Sequence, residues 1–150
     1  MVKNIQNKLI KLLRTSYCTP QIARIAKKTK DASSTIHYNI KKLEENGSIL
    51  GYKAVFNHKK IDTGFCVFVL ITLAPNEYGD PERIGKDLVK HNEIESVNII
   101  TGDWEMLLKI RVKDQDAYYD FVKNVISRPG ITKISSLTSL KELKSEFVVS

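Results

Sequence analysis

Two cysteines, seven glycines and four prolines are few for a chain of 150 residues, and each scarcity excludes something. Cys18 and Cys66 cannot form a disulfide framework, and two thiols in an intracellular chain read as free. Cys66 stands in an apolar run, where it reads as a small buried hydrophobe. His37, His58 and His91 share no metal-ligand spacing with one another or with the cysteines, so the expectation is no metal and no cofactor. The longest apolar run, Phe65 to Ile71, has seven residues. A membrane helix needs about 20. The N-terminus, Met1 to Lys8, is polar and lacks an apolar signal segment, so a cytoplasmic protein is expected. With 42% hydrophobic and 27% charged residues, the chain has the composition of a globular protein and not of a disordered one.

The usual signatures of catalysis are also missing. Gly47-Ser48-Ile49-Leu50-Gly51 lacks the following Lys-Ser/Thr of a phosphate loop. No Ser-His-Asp or Cys-His pairing is suggested. Asp103 and Glu105, two apart on a strand, would share one face, but nothing near them in sequence supplies a partner. No enzyme activity and no catalytic residue are expected.

Charge is present, and unevenly so. The net charge is +7. Residues 1–60 hold thirteen Lys and Arg against three acids, or +10, and residues 61–150 hold eleven against fourteen, or −3. A basic first part joined to a mildly acidic second part points to a polyanion partner for the first. The plain alternative is a solvated lysine-rich surface, since lysines outnumber arginines 19 to 5.

Apolar periodicity predicts three short helices in the basic part. The first runs from Asn4 to Arg14, with Ile5, Leu9, Leu12 and Leu13 on one face. The second starts with Thr19 as N-cap and Pro20 in the first turn, carries Ile22, Ala23, Ile25 and Ala26, and ends near Lys28. The third is capped by Ser33 or Ser34, buries Ile36, Ile40 and Leu43, and stops at Asn46-Gly47. Two helices joined by a tight turn after a first helix match the helix-turn-helix pattern. Ser48 to Asn57 reads as a strand or small wing. The expected division is a helix-turn-helix domain over 1–50, a strand and hinge linker over 51–64, and a second domain over 65–150.

The second domain reads β-α-β-β-α-β. Phe65 to Leu73 is a strand buried on both faces. A helix starts at Asp80-Pro81, turns Ile84, Leu88 and Val89 inward, and ends near His91-Asn92. Strands Glu95 to Thr101 and Trp104 to Val112 flank a Gly102-Asp103 turn. Asp114 caps a helix with Tyr118, Phe121, Val122 and Val125 inward, and Arg128-Pro129-Gly130 ends it. The last strand runs from Ile131 to about Leu143, with Ile134, Leu137 and Leu140 among its apolar positions. This order is the ferredoxin-like split-βαβ arrangement, so the whole is an α+β protein with an N-terminal, winged-helix-like helix-turn-helix domain.

The third helix carries the chemistry of the first part. With Ile36, Ile40 and Leu43 inward, the residues Ser33, Ser34, Thr35, His37, Tyr38, Asn39, Lys41 and Lys42 are left for a partner. The N-terminal turn of a recognition helix enters the major groove of DNA. There Ser and Thr can donate to or accept from base edges, Thr can meet the thymine methyl, and Asn can pair bidentately with adenine. Lys41 and Lys42, further along, suit phosphates. A solvated polar face is the alternative; in a basic three-helix unit the DNA reading is preferred.

Thr19-Pro20-Gln21-Ile22-Ala23, Ser34-Thr35-Ile36 and Lys42-Leu43-Glu44-Glu45-Asn46-Gly47-Ser48-Ile49-Leu50-Gly51-Tyr52 together resemble the DNA-binding half of the Lrp/AsnC family, the leucine-responsive or feast/famine regulators. Thr101-Gly102-Asp103-Trp104-Glu105 and the strand after it resemble the family's central hairpin. Arg128-Pro129-Gly130-Ile131 resembles its Pro-Gly-Val lead into the last strand. The match runs from about residue 4 to residue 144. Two departures stand out. Lys28-Thr29-Lys30-Asp31-Ala32 lacks the Gly-Leu usual before the recognition helix, and Asn39 replaces a commonly basic position. The site sequence this helix reads is therefore not carried over from the family.

Gly102 and Asp103 also suit the tip of any short hairpin, because both tolerate positive φ. The resemblance implies a second role: an amino-acid effector site built from Thr101, Gly102, Asp103, Trp104 and Glu105, with Thr138 and Ser139 supplied by a neighbouring subunit. The small polar Thr138 and Ser139 suggest a polar effector such as glutamine or lysine. The resemblance further implies dimers, assembling into octamers. The expected function is sequence-specific binding of double-stranded DNA to regulate transcription, tuned by a small amino acid. The rival readings are an amino-acid-binding regulatory subunit of a metabolic enzyme, and an architectural DNA-binding protein without an effector.

Overall fold

A computed structural model of the chain describes residues 2–146 together with 148 and 149, with side-chain environments for residues 4–146. The chain divides into two units, residues 1–56 and 57–150.

The first unit is three helices: α1 (Val2–Leu13), α2 (Ile22–Thr29) and α3 (Ser33–Glu45). Helix α2 starts two residues later than expected from Thr19-Pro20. Gln21 holds the N-cap position without a side-chain cap, and the Pro20 carbonyl accepts from the Ile22 amide at 3.1 Å. Thr19 therefore lies too early to reach the orphan amides of the first turn. The expected serine cap of α3 is also absent. Ala32, in extended conformation, is the N-cap, so Ser33 and Ser34 are first-turn residues with exposed hydroxyls. The helix ends as expected: Gly47 adopts φ +75° and the Ile49 amide reaches back to the Leu43 carbonyl at 2.9 Å. Between α2 and α3, Lys30 takes the left-handed conformation, φ 66° and ψ 26°, and its amide closes onto the Ala26 carbonyl. This is the segment that lacks the family's glycine.

Burial in this unit is thin. Ala26 is buried, Ile10, Leu13, Ile22, Ile25, Ile36 and Ile40 are half-buried, and Ile5, Leu9, Leu12 and Leu43 remain exposed. A unit of this size has little interior to offer. The stretch read as a strand or wing, Ser48 to Asn57, joins neither sheet among the described residues. Its Ala54 amide instead donates to the Leu13 carbonyl at 2.8 Å, which leaves no ladder for a wing.

The second unit is a four-stranded antiparallel sheet with helices on one face. Strands β1 (Phe65–Leu73), β2 (Ile94–Ile99), β3 (Met106–Val112) and β4 (Ile131–Thr138) lie in the order β2-β3-β1-β4. Helices α4 (Pro81–Leu88) and α5 (Gln115–Phe121), the latter continued by a π-helical turn over Val122–Ile126, supply the covering layer. The result is the expected ferredoxin-like β-α-β-β-α-β. Alternation sets the core: Val67, Val69, Ile71 and Leu73 of β1 and Met106, Leu108, Ile110 and Val112 of β3 meet Ile84, Leu88, Phe121 and Ile126. A short strand pair, β5 (Lys144–Ser145) and β6 (Val148–Val149), follows.

Several sequence expectations shift here. Strand β1 is not buried on both faces, since Phe68, Leu70 and Thr72 are only half-buried on the side away from the helices. Val89 faces solvent, because α4 ends at Leu88. Strand β4 stops at Thr138, five residues short of Leu143, and Leu137 and Leu140 are exposed. Strand β2 starts at Ile94 and ends at Ile99, and β3 starts at Met106, so the hairpin loop is broader than a two-residue turn. Asp114 does cap α5, accepting from the Ala117 amide.

Candidate functional site

The sequence points to two places, one in each unit. In the first unit, α3 presents Ser33, Ser34, Thr35, His37, Tyr38, Asn39, Lys41 and Lys42, all exposed, while Ile36 and Ile40 are the half-buried side of the helix. Not all of the eight are equally free. The Asn39 side-chain amide donates to the Thr35 carbonyl at 2.8 Å, one turn back. The Lys42 ammonium lies 4.6 Å from the centre of the Tyr38 ring. Lys41 faces Glu45 at 3.8 Å, an exposed pair that water and salt weaken. The uncapped first turn, with Ser33 and Ser34 exposed, offers donors and acceptors at the end that a major groove would meet.

In the second unit, the loop between β2 and β3 brings Thr101, Gly102 and Asp103 to an exposed tip. Gly102 has φ +111°, and a Cβ there would meet no atom within 4 Å, so the backbone is open to close approach. Trp104 is half-buried, with the Lys133 ammonium 5.0 Å from its ring centre. Lys133 was not singled out by sequence reading; only the register that places it opposite Thr72 on β1 brings it to this corner. Glu105 is engaged structurally. Its carboxylate accepts from the Leu73 amide at 2.9 Å, and its own amide donates to the Ile71 carbonyl at 3.0 Å.

Thr138 and Ser139 are elsewhere in the unit. Thr138 pairs with Val67 and the Ser139 amide donates to the Cys66 carbonyl, whereas the hairpin is tied to β1 at Ile71 and Leu73. About six residues of strand, some 20 Å, separate the two. A single chain does not bring the hairpin residues and this pair together.

A third cluster went unread in the sequence. Arg111, Lys109, Glu95 and Glu142 form an ionic network on the sheet face away from the helices. Lys109 and Arg111, two apart on a strand, were the available signal. Among the described residues, no three His, Cys, Asp or Glu side chains are grouped to hold a metal ion, and no helix is long and apolar enough to cross a membrane.

The comparisons with known proteins agree with this architecture. Residues 66–149 match the family described as "Lrp/AsnC ligand binding domain". The chain is 34% identical over 140 residues to the HTH-type transcriptional regulator FL11 of Pyrococcus abyssi, covering 93% of this chain and 90% of that protein. Among solved structures it is similar to an AsnC family transcriptional regulator from Agrobacterium tumefaciens, with TM-score 0.77, 26% identity, and 95% and 93% of the two chains covered. The fold is also that of the Neisseria meningitidis transcriptional regulator NMB0573, solved as a complex with L-Met, with TM-score 0.75, 22% identity, and 84% and 82% covered. Helix-turn-helix and ferredoxin-like units in this order, the matched ligand-binding region and the near full-length likeness to named regulators lead to one assignment: the chain belongs to the Lrp/AsnC family of transcriptional regulators.

Proposed function

We propose that this protein is a sequence-specific DNA-binding regulator of transcription whose assembly or grip on DNA is set by a free amino acid. The observation that carries the reading is α3: eight polar or basic side chains stand exposed on one helix of a unit that is strongly basic. Inserted into the major groove, its N-terminal half places Ser34, Thr35 and Asn39 at base edges, and Lys41 and Lys42 at phosphates. A two-fold dimer presents two such helices, so half-sites lie roughly one helical turn, or a multiple of it, apart.

The second unit assembles copies as dimers and octamers and holds the effector at the hairpin. Asp103 accepts from the ammonium. The amides near Thr101 and Gly102, with the hydroxyls of Thr138 and Ser139 from a neighbouring copy, donate to the carboxylate. The separation of these two groups within one chain supports a site shared between copies, and a shared site couples ligand to assembly. The L-Met complex of the Neisseria relative supports an amino acid as the class of effector. Glutamine and lysine remain the first to test.

The test is duplex binding across a salt series, with footprinting, followed by calorimetry across the amino acids. Affinity should fall steeply with salt as counterions are released, and protection should be dyad-related. Affinity indifferent to salt would reject the DNA reading, and no heat with any amino acid would reduce the protein to an architectural DNA binder.

A further inference from the structure

On the side of the sheet away from the helices, the corner around Arg111 is charged, and the chain that follows β4 closes it. Arg111 is 3% exposed there. Its Nε donates to Glu95 Oε2 at 2.9 Å, and its Nη2 donates to Glu142 Oε1 and Oε2 at 2.9 and 2.7 Å. The Lys109 ammonium bridges the same two acids, 3.1 Å from Glu95 Oε2 and 3.4 Å from Glu142 Oε2. His58 Nε2 lies 3.9 Å from Glu95 Oε1. Burial pushes the Glu142 carboxyl up, but the bond from Arg111 and the two nearby cations outweigh it and hold the carboxyl below its ordinary value. Ser139 and Ser145 join the same contact: the Ser139 amide donates to the Cys66 carbonyl at 2.9 Å, and Lys109 Nζ donates to Ser145 Oγ at 3.5 Å.

The geometry points to a carboxylate-binding site made by Arg111 and Lys109, oriented by Glu95, whose resident ligand is Glu142, so that residues 139–145 are held as a strap over the Cys66 end of the sheet. Two cations fixed on a strand by one acid leave a positive charge uncompensated in a place nearly closed to water, and a second carboxylate is the group that answers it. Glu142 reaches that place from 31 positions beyond Arg111, out of a segment with few apolar anchors: Leu140 and Leu143 both face solvent. Carboxylate capture therefore holds the middle of the segment, between the Ser139 amide bond to Cys66 and the Ser145 contact with Lys109. Cys66 sits beneath it as a reporter. It pairs with Arg111 across the strands and is 4% exposed, and burial pushes its thiol up.

The experiment uses the full chain with Cys18→Ser, so that Cys66 is the sole thiol. Glu142→Gln keeps the shape and removes the charge. Thiol labelling of Cys66 should then accelerate at least about tenfold while amide exchange at Leu108 and Ile110 stays unchanged, as expected for local release of a strap. In Glu142→Ala, sodium acetate should occupy the vacated place and shift the Arg111 side-chain NMR signals saturably, and sodium chloride at equal ionic strength should not. An unchanged labelling rate in Glu142→Gln, a rise that β3 exchange follows in step, or acetate acting no better than chloride would each overturn the site.

Discussion

The carboxylate of Glu105 accepts the backbone amide of Leu73, thirty-two positions earlier, and fastens the base of the β2–β3 hairpin to the end of β1. Asp103, two residues away at the exposed tip, does no such work. The two acids that look alike in sequence should therefore fail differently. Glu105→Ala leaves the part-buried Leu73 amide without its acceptor and should lower unfolding free energy by about 1–3 kcal/mol in a denaturant titration. Asp103→Ala should change stability by no more than about 0.5 kcal/mol and yet abolish the calorimetric heat of the amino acid. Equal stability losses in the two variants would show that the hairpin is not divided in this way.

Gly130 should not accept a side chain. Its φ is +92°, and a Cβ would lie 2.9 Å from Ile84 Cδ1 and 3.1 Å from Glu77 Oε1. Glu77 is buried and paired with Arg83, so it cannot yield without exposing or breaking that ion pair. Gly130→Ala combines backbone strain with overpacking and should cost about 2–4 kcal/mol. Gly47, with φ +75° and open space around it, offers a control: Gly47→Ala should cost only about 1 kcal/mol, from strain alone. Thermal unfolding of both variants checks the order.

Lys30 holds a left-handed turn conformation for which a Cβ is a handicap. Lys30→Gly should stabilise the first unit by about 0.5–1 kcal/mol, since the strain removed exceeds the backbone entropy added to the unfolded chain. The same change removes a positive charge beside α3, so non-specific DNA affinity should fall slightly even as the melting temperature rises. A drop in melting temperature would contradict the turn geometry.

On α3, Lys41→Ala or Lys42→Ala should weaken binding to every duplex and flatten its salt dependence, whereas Thr35→Ala should cost about 1–3 kcal/mol on the best site and relax preference there. Asn39 carries a further condition. Its amide must release the Thr35 carbonyl before it can read a base, so Asn39→Ala should cost less than Thr35→Ala. Competition binding with specific and random duplexes separates these outcomes. Equal losses on both duplexes for all four variants would remove the division of roles.

Acid should unlatch the second unit before it unfolds the core. Burial raises the Glu95 and Glu142 carboxyls, but their bonds and charges with Lys109 and Arg111 prevail, and both are held low when folded. Groups depressed in the fold contribute their stability above the ordinary carboxylate range, about 4.3, and lose it as pH falls through the lower folded value. Unfolding free energy should be flat from neutral pH down to about 5 and decline below that, and Glu142→Gln should shrink the decline. A pH profile unchanged by Glu142→Gln would detach Glu142 from the acid response.

Much of this was legible in one sequence because it is periodic. Period 3.6 in Ile36 and Ile40, and period 2 in Val67, Val69 and Ile71, state which side of a helix or strand is apolar, and the order of such segments leaves few topologies to choose from. The exposed face of α3 followed from the same count. What was missed depends on contacts between distant positions. The wing at Ser48 to Asn57 had strand-like residues but no partner strand, and strand propensity without a ladder does not make a sheet. Lys133 reached Trp104, and Glu142 reached Arg111, only through strand order and the path of the chain after β4. Local spacing determines which way a side chain faces; what it meets there is decided when the sheet closes, because pairing register and chain reversal are tertiary quantities that no short window of sequence contains.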